Sequence, residues 1–158
     1  MLVRVLNWAY FINDMLFENI LVPFDLSSLS NNAFKVALDI AQKYNSKITL
    51  LTCVEGDAWH HKFYDARADS ELLKKQSKTA KKYMEKLEDS ANKVGVKIKL
   101  QILKSTSVVK DITTFAKSRK IDLIVMSSHG RTGLDKIILG SVANGVIQRS
   151  TIPVLLIK

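Results

Sequence analysis

A chain of 158 residues that is 47% hydrophobic can close one core of ordinary single-domain size. Its one cysteine, Cys53, excludes an internal disulfide framework and a cysteine-based zinc cluster, so a reducing cytoplasm is the expected compartment. The net charge of +9 favours anionic partners, yet the aromatic residues are not interleaved with the lysines in a stacking pattern, which argues against nucleic acid.

The opening stretch, MLVRVLNWAYFINDMLFENILVPFD, is broken by Arg4, Asn7, Asn13 and Asp14 well short of the roughly 20 apolar residues a membrane helix needs. It has no basic leader ahead of an unbroken apolar run, so no secretory signal is expected. Residues 1–14 read as an N-terminal extension and residues 15–158 as one domain. Ile20 to Val22, ending at Pro23, is a short apolar run suited to a strand buried on both faces. The serines of PFDLSSLS then offer N-caps for a helix through about Tyr44, with Ala33, Val36, Ala37, Ile40 and Ala41 at helical spacing.

Ile48 to Val54 reads as a second strand. The segment EGDAWHHKFYDARADS has no period and reads as a loop or short irregular helix; its His60 and His61, with no thiol or carboxylate pattern beside them, are weak metal candidates. From Glu71 to Val94 a three-or-four spacing of apolar residues predicts a long amphipathic helix stopped at Gly95. Lysines 74, 75, 78, 81, 82, 86 and 93 fall on that helix among Glu71, Glu85, Glu88 and Asp89, as on an ordinary solvated face.

Val96 to Leu103 alternates apolar and polar residues, which predicts a strand with one wet face, at a sheet edge or on a partly open face. Ser107 can cap a short helix bearing Val108, Val109, Ile112, Phe115 and Ala116. IDLIVMSS makes a fourth strand, a glycine-containing loop leads to a helix beginning near Ser141, and IPVLLIK closes the chain. Strands alternating with helices predict right-handed crossovers and an α/β fold: a single open five-stranded parallel sheet with helices on both faces.

The chemistry concentrates in MSSHGRTGLDKIILGSVANGVI, residues 126–147. Glycines admit positive φ and close backbone approach, and the unpaired amides of a helix start, aided by its dipole, suit an anion such as phosphate. Ser141 adds a hydroxyl beside them. Singly, Gly130 and Gly133 would serve a turn and Gly140 a close packing. Together they follow one apolar strand as Pro23-Phe24-Asp25 follows another, and ligands of open α/β sheets lie at such strand ends. The patterns GxxxxGK[ST] and GxGxxG are absent, which disfavours a P-loop NTPase and a standard dinucleotide-binding domain.

ILVPFDLSSLS, DLIVMSSHGRTGLDKIILGSVANGVI and PVLLIK together resemble the universal stress protein family over about residues 15–158. The resemblance implies a Rossmann-like fold of the adenine nucleotide alpha hydrolase type. The family's nucleotide-binding branch carries glycine, two residues, glycine, nine residues, then glycine and serine or threonine. Gly130, Arg131 to Leu139, and Gly140-Ser141 match it, whereas Ser127 replaces the first glycine. A serine there weakens binding if the position needs positive φ or a very close contact, and costs little if only its amide is used.

The resemblance further implies that Pro23 and Asp25 sit at a strand end, with Asp25 near the ribose or a phosphate-bound Mg²⁺. Cys53 would line the adenine pocket, Met126 would flank the base, and Val142 would follow Ser141 at the helix start. His129 could contact ligand or pack locally, Asp25 could cap a turn, and Arg131 and Lys136 could neutralise phosphate or be surface cations. The implied function is binding of ATP or AMP in stress response. With no general base or nucleophile pair in view, slow ATP hydrolysis is the upper limit expected of it as an enzyme. The resemblance also implies a homodimer through the C-terminal strand. The competing reading is a dimeric scaffold of the same fold that binds no nucleotide.

Overall fold

A computed structural model describes residues 17–55, 66–130 and 139–158. The extension 1–14, His60, His61, Arg131, Gly133 and Lys136 lie outside them. Five strands and four helices alternate: β1 (Asn19–Pro23), α1 (Ser28–Tyr44), β2 (Lys47–Glu55), α2 (Ala66–Asn92), β3 (Ile98–Ser105), α3 (Val108–Ser118), β4 (Leu123–Ser127), α4 (Ser141–Arg149) and β5 (Val154–Ile157). All pairings are parallel, in the order β3-β2-β1-β4-β5. This is the expected α/β sheet, with β3 at an edge.

Strand alternation sorts the core into two layers. Ile20, Val22, Ile48, Leu50 and Val125 pack with Ala33, Phe34 and Ala37 of α1 and Ala80, Met84 and Ala91 of α2. Leu21, Leu51, Ile124 and Met126 face the opposite way, onto Ile112, Phe115 and Ala116 of α3 and Ala143 and Val146 of α4. β1 is buried on both sides because both layers converge on it.

Ser27 takes the N-cap of α1, its Oγ accepting from the Ser30 amide at 3.0 Å. Asn45, at φ 55°, turns the chain out of α1 in the left-handed region. Asp122 ties down the start of β1: its Oδ2 accepts from the Glu18 and Asn19 amides at 2.9 and 3.0 Å. Burial raises the Asp122 pKa, against the pull of those amides, and its Oδ1 is buried without a partner.

Two predicted boundaries move, and one predicted cap makes no side-chain bond. α2 begins at Ala66, five residues before Glu71, because the alanines there favour helix and Asp69 sits in a first turn where a negative charge meets the positive end of the dipole. β3 begins at Ile98 rather than Val96. The Val96 amide bonds the Ala91 carbonyl at 3.0 Å, closing the end of α2 over Gly95 at φ 78°, and is thereby withdrawn from the sheet. Ser107 holds the N-cap position of α3, but its hydroxyl makes no capping bond.

Candidate functional site

The chain runs outward from β1 through β2 to β3, then crosses back to place β4 on the other side of β1. The carboxyl ends of β1 and β4 therefore flank the point where connections diverge. The β1–β4 ladder registers only Ile20 with Leu123 and Leu21 with Ile124, against five pairs between β1 and β2. Beyond those pairs lies a cavity of about 250 Å³.

Pro23, Phe24 and Asp25 form one wall. Asp25 is fixed by its own turn, Oδ1 accepting from the Ser27 amide at 3.1 Å. Leu26 follows at φ 67°, a left-handed conformation costly for a side chain with a Cβ, by about 1–2 kcal/mol. Strain of this kind is held only where the surroundings dictate it. Here the Phe24 amide bonds Leu51 and its carbonyl accepts from Thr52 Oγ1, both at 2.8 Å.

The opposite wall is the end of β4 and the start of α4. Ser127 closes β4 in register with Ile157, and the Ser128 amide extends that ladder to the Ile157 carbonyl at 2.8 Å. The Ser128 carbonyl accepts from the Gly140 amide at 2.9 Å, which brings the far end of the glycine loop back onto the sheet edge. Ser128 Oγ lies 3.0 Å from His129 Nδ1. The first intrahelical bond of α4 runs from the Asn144 amide to the Gly140 carbonyl, leaving the amides of Ser141, Val142 and Ala143 without helical acceptors. All three residues line the cavity.

The glycines act through the missing Cβ and not through φ; among the described residues only Gly95 is a glycine at positive φ. A Cβ on Gly130 would stand 3.0 Å from Asp25 Oδ2, and one on Gly140 would stand 3.0 Å from the Ser128 carbonyl oxygen and 3.2 Å from His129 Cα. Ser127 likewise has no positive φ, so its side chain brings no backbone penalty. The Gly140 amide is committed to Ser128, so the helix-start amides without a described acceptor begin at Ser141.

The floor is apolar, made by Leu51, Cys53, Val108, Ile112 and Met126. The Cys53 thiol is pushed up to about 12 by burial first, then by the carboxylates of Asp111 and Glu55. It stays protonated and serves as a small apolar surface. Among the described residues no group of three or more His, Cys, Asp or Glu is placed to hold a metal ion.

Of the residues singled out by sequence, Pro23, Asp25, Cys53, Met126, Ser127, His129, Gly130, Gly140, Ser141 and Val142 all line this cavity, and Arg131 falls outside the described residues. Sequence reasoning missed Phe24, Leu51, Glu55, Val108, Ile112, Ser128 and Ala143. The period of two along β2 was the available signal: with Cys53 chosen, Leu51 and Glu55 share its face.

Comparison with known proteins gives consistent matches. The model of the universal stress protein family matches residues 16–158. A universal stress protein of Methanocaldococcus jannaschii is 34% identical over 160 aligned residues, covering 98% of this chain and 89% of the relative. The solved structure of universal stress protein UspA from Lactobacillus plantarum superposes with a TM-score of 0.82 at 29% identity, covering 90% of this chain and 98% of that one. A universal stress protein of Archaeoglobus fulgidus in complex with dAMP shares the fold at a TM-score of 0.66 and 20% identity, over 91% of this chain and 100% of that one.

Proposed function

Since the chain belongs to the universal stress protein family, we propose that its cavity is a reversible binding site for an adenine nucleotide, ATP or AMP, and that the protein acts in the stress response as a regulatory binder and not as an efficient catalyst. The observation that carries this reading is the polarity of the cavity. Three amides, of Ser141, Val142 and Ala143, with no acceptor among the described residues, stand at the positive end of α4 and at one end of an apolar floor large enough for a flat ring. Phosphate fits the amides, and adenine fits the floor between Cys53 and Met126. The dAMP complex of the Archaeoglobus relative supports this choice of ligand.

Mg²⁺ fits only as a passenger of the phosphates. Asp25 offers one carboxylate at the cavity wall, and Mg²⁺ keeps several waters and phosphate oxygens when protein ligands are few. The scaffold reading rests on Ser127; the absence of positive φ there answers the backbone half of that argument, and the close-contact half is decided by the titration below. A homodimer through β5 and a cytoplasmic location belong to the same proposal. Among the described residues no helix is long and apolar enough to cross a membrane.

The test is mass spectrometry of nucleotide released on denaturing the purified protein, with calorimetric titration of ATP and AMP with and without Mg²⁺. Ser141→Asp separates binding from folding. An aspartate in the first turn of α4 stabilises the helix by about 0.3–1 kcal/mol through the dipole, yet sets a negative charge against the phosphates. Unchanged or raised thermal stability with nucleotide affinity lowered by about tenfold or more is the expected result. No nucleotide released and no titratable binding in the wild type would make the scaffold reading the better one.

A further inference from the structure

Among the described residues, Glu55 is the one charged residue of the cavity lining that sequence reasoning did not assign. It closes β2 on the same face as Leu51 and Cys53, while Thr52 turns away to hold the Phe24 carbonyl and Met84 Sδ. Its side chain is exposed, with no hydrogen bond or ion pair among the described residues. The other charged residue of the described lining, Asp25, is also acidic, but it is held by the Ser27 amide and confined against Gly130. Glu55 thus has a freedom to reorient toward a ligand that Asp25, fixed in place at the cavity wall, does not have.

Its place in the sheet defines what it can meet. β2 lies two strands from β4, about 10 Å across the sheet, and Glu55 also stands three residues, about another 10 Å along the strand, beyond the level of Ser127, which leads to α4 and its amides. Its field reaches the cavity floor, where it helps keep the Cys53 thiol protonated. An ionised carboxylate accepts hydrogen bonds and cannot donate them. The cavity therefore has a donor end at α4 and an acceptor end at β2.

We propose that Glu55 is a specificity-determining residue: it selects a nucleotide whose end remote from the phosphates presents an N–H or O–H donor, an exocyclic amine or a sugar hydroxyl, and disfavours one with a carbonyl there. The inference rests on the nucleotide reading above and says which nucleotide the site takes. Asp111, whose Oδ2 is buried without a partner, adds negative potential on the same side and reinforces the demand for a donor.

Glu55→Gln tests it, because the amide both donates and accepts while keeping shape. Removing a negative charge raises the affinity for every phosphate-bearing ligand, so absolute affinities do not decide the matter. Ratios do, since AMP, IMP and 2′-deoxy-AMP carry the same phosphate. Dissociation constants for all three are measured by calorimetry on the wild type, E55Q and E55D, with thermal melts confirming that each variant is folded.

The expected result is a wild-type preference of about tenfold or more for the ligand with the donor, falling toward parity in E55Q and intermediate in E55D. Collapse of the AMP:IMP ratio identifies the base amine as the donor, and collapse of the AMP:deoxy-AMP ratio identifies the sugar hydroxyl. Both ratios unchanged in E55Q overturn the proposal while leaving the nucleotide site standing. A wild type that binds none of the three overturns the nucleotide reading, and this inference with it.

Discussion

Cys53 sits on the cavity floor in surroundings that oppose its ionisation, and the direction of that effect sets two measurable outcomes. Burial and two nearby carboxylates raise the thiol from 9.0 to about 12 in the folded state. The native protein at pH 8 is therefore expected to react with iodoacetamide far more slowly than the same protein in urea, because the thiolate is the nucleophile. An acid whose pKa is higher when folded binds its proton more tightly in the native state, so this group lowers stability as pH rises through 9 and ceases to lower it further past about 12. Chemical denaturation between pH 8 and 10, comparing wild type with Cys53→Ala, checks the sign: the variant loses the part of the decline due to this thiol. Other residues at the site were readable in advance for a simpler reason. Asp25, Gly130, Gly140 and Ser141 follow strand ends, and their types alone suit turns, close approach and helix starts. Leu51, Val108 and Ile112 were not, since apolar residues join a cavity wall or a solid core according to what packs opposite them.

The elements themselves were largely legible because β1, β2 and β4 are apolar runs punctuated by Pro23, Gly or Ser, and α1 and α2 carry a clear period. What escaped was where hydrogen bonds hand over between elements. Nothing in the identity of Val96 says that its amide will close α2 instead of opening β3. The two serine caps make the same point energetically. Ser27 bonds the Ser30 amide, whereas the Ser107 hydroxyl makes no capping bond. Ser27→Ala should therefore cost about 1 kcal/mol, within the usual range for losing a cap, and Ser107→Ala distinctly less. Urea denaturation of the two variants reads the difference directly. The pairing of α3 with α4 is equally specific: a Cβ on Gly145 would stand 2.8 Å from Val109 Cγ2, so the two helices touch at a point that admits no side chain.

Across the whole molecule, the two edges of the sheet are finished differently. β3 carries exposed Lys99 and Lys104 and is preceded by exposed Lys97, charges that discourage another strand from pairing. β5 is VLLI, with Leu155 38% exposed and no strand paired along its outer side among the described residues. A second copy paired along β5 would satisfy those groups, which is the physical case for the proposed homodimer. Leu155→Lys should give a folded monomer by light scattering at concentrations where the wild type is a dimer, and a wild type that is already monomeric would sink the idea.

The unequal edges also limit how large such an assembly can grow. A strand edge that meets its own copy about a two-fold axis uses up the same surface on both partners, whereas head-to-tail joining of two different edges has no natural end. With adhesive groups on β5 and a lysine-lined rim on β3, the second kind of contact has only one willing side. On the proposed pairing, association through the sheet would therefore stop at two chains and would not run on into an open filament.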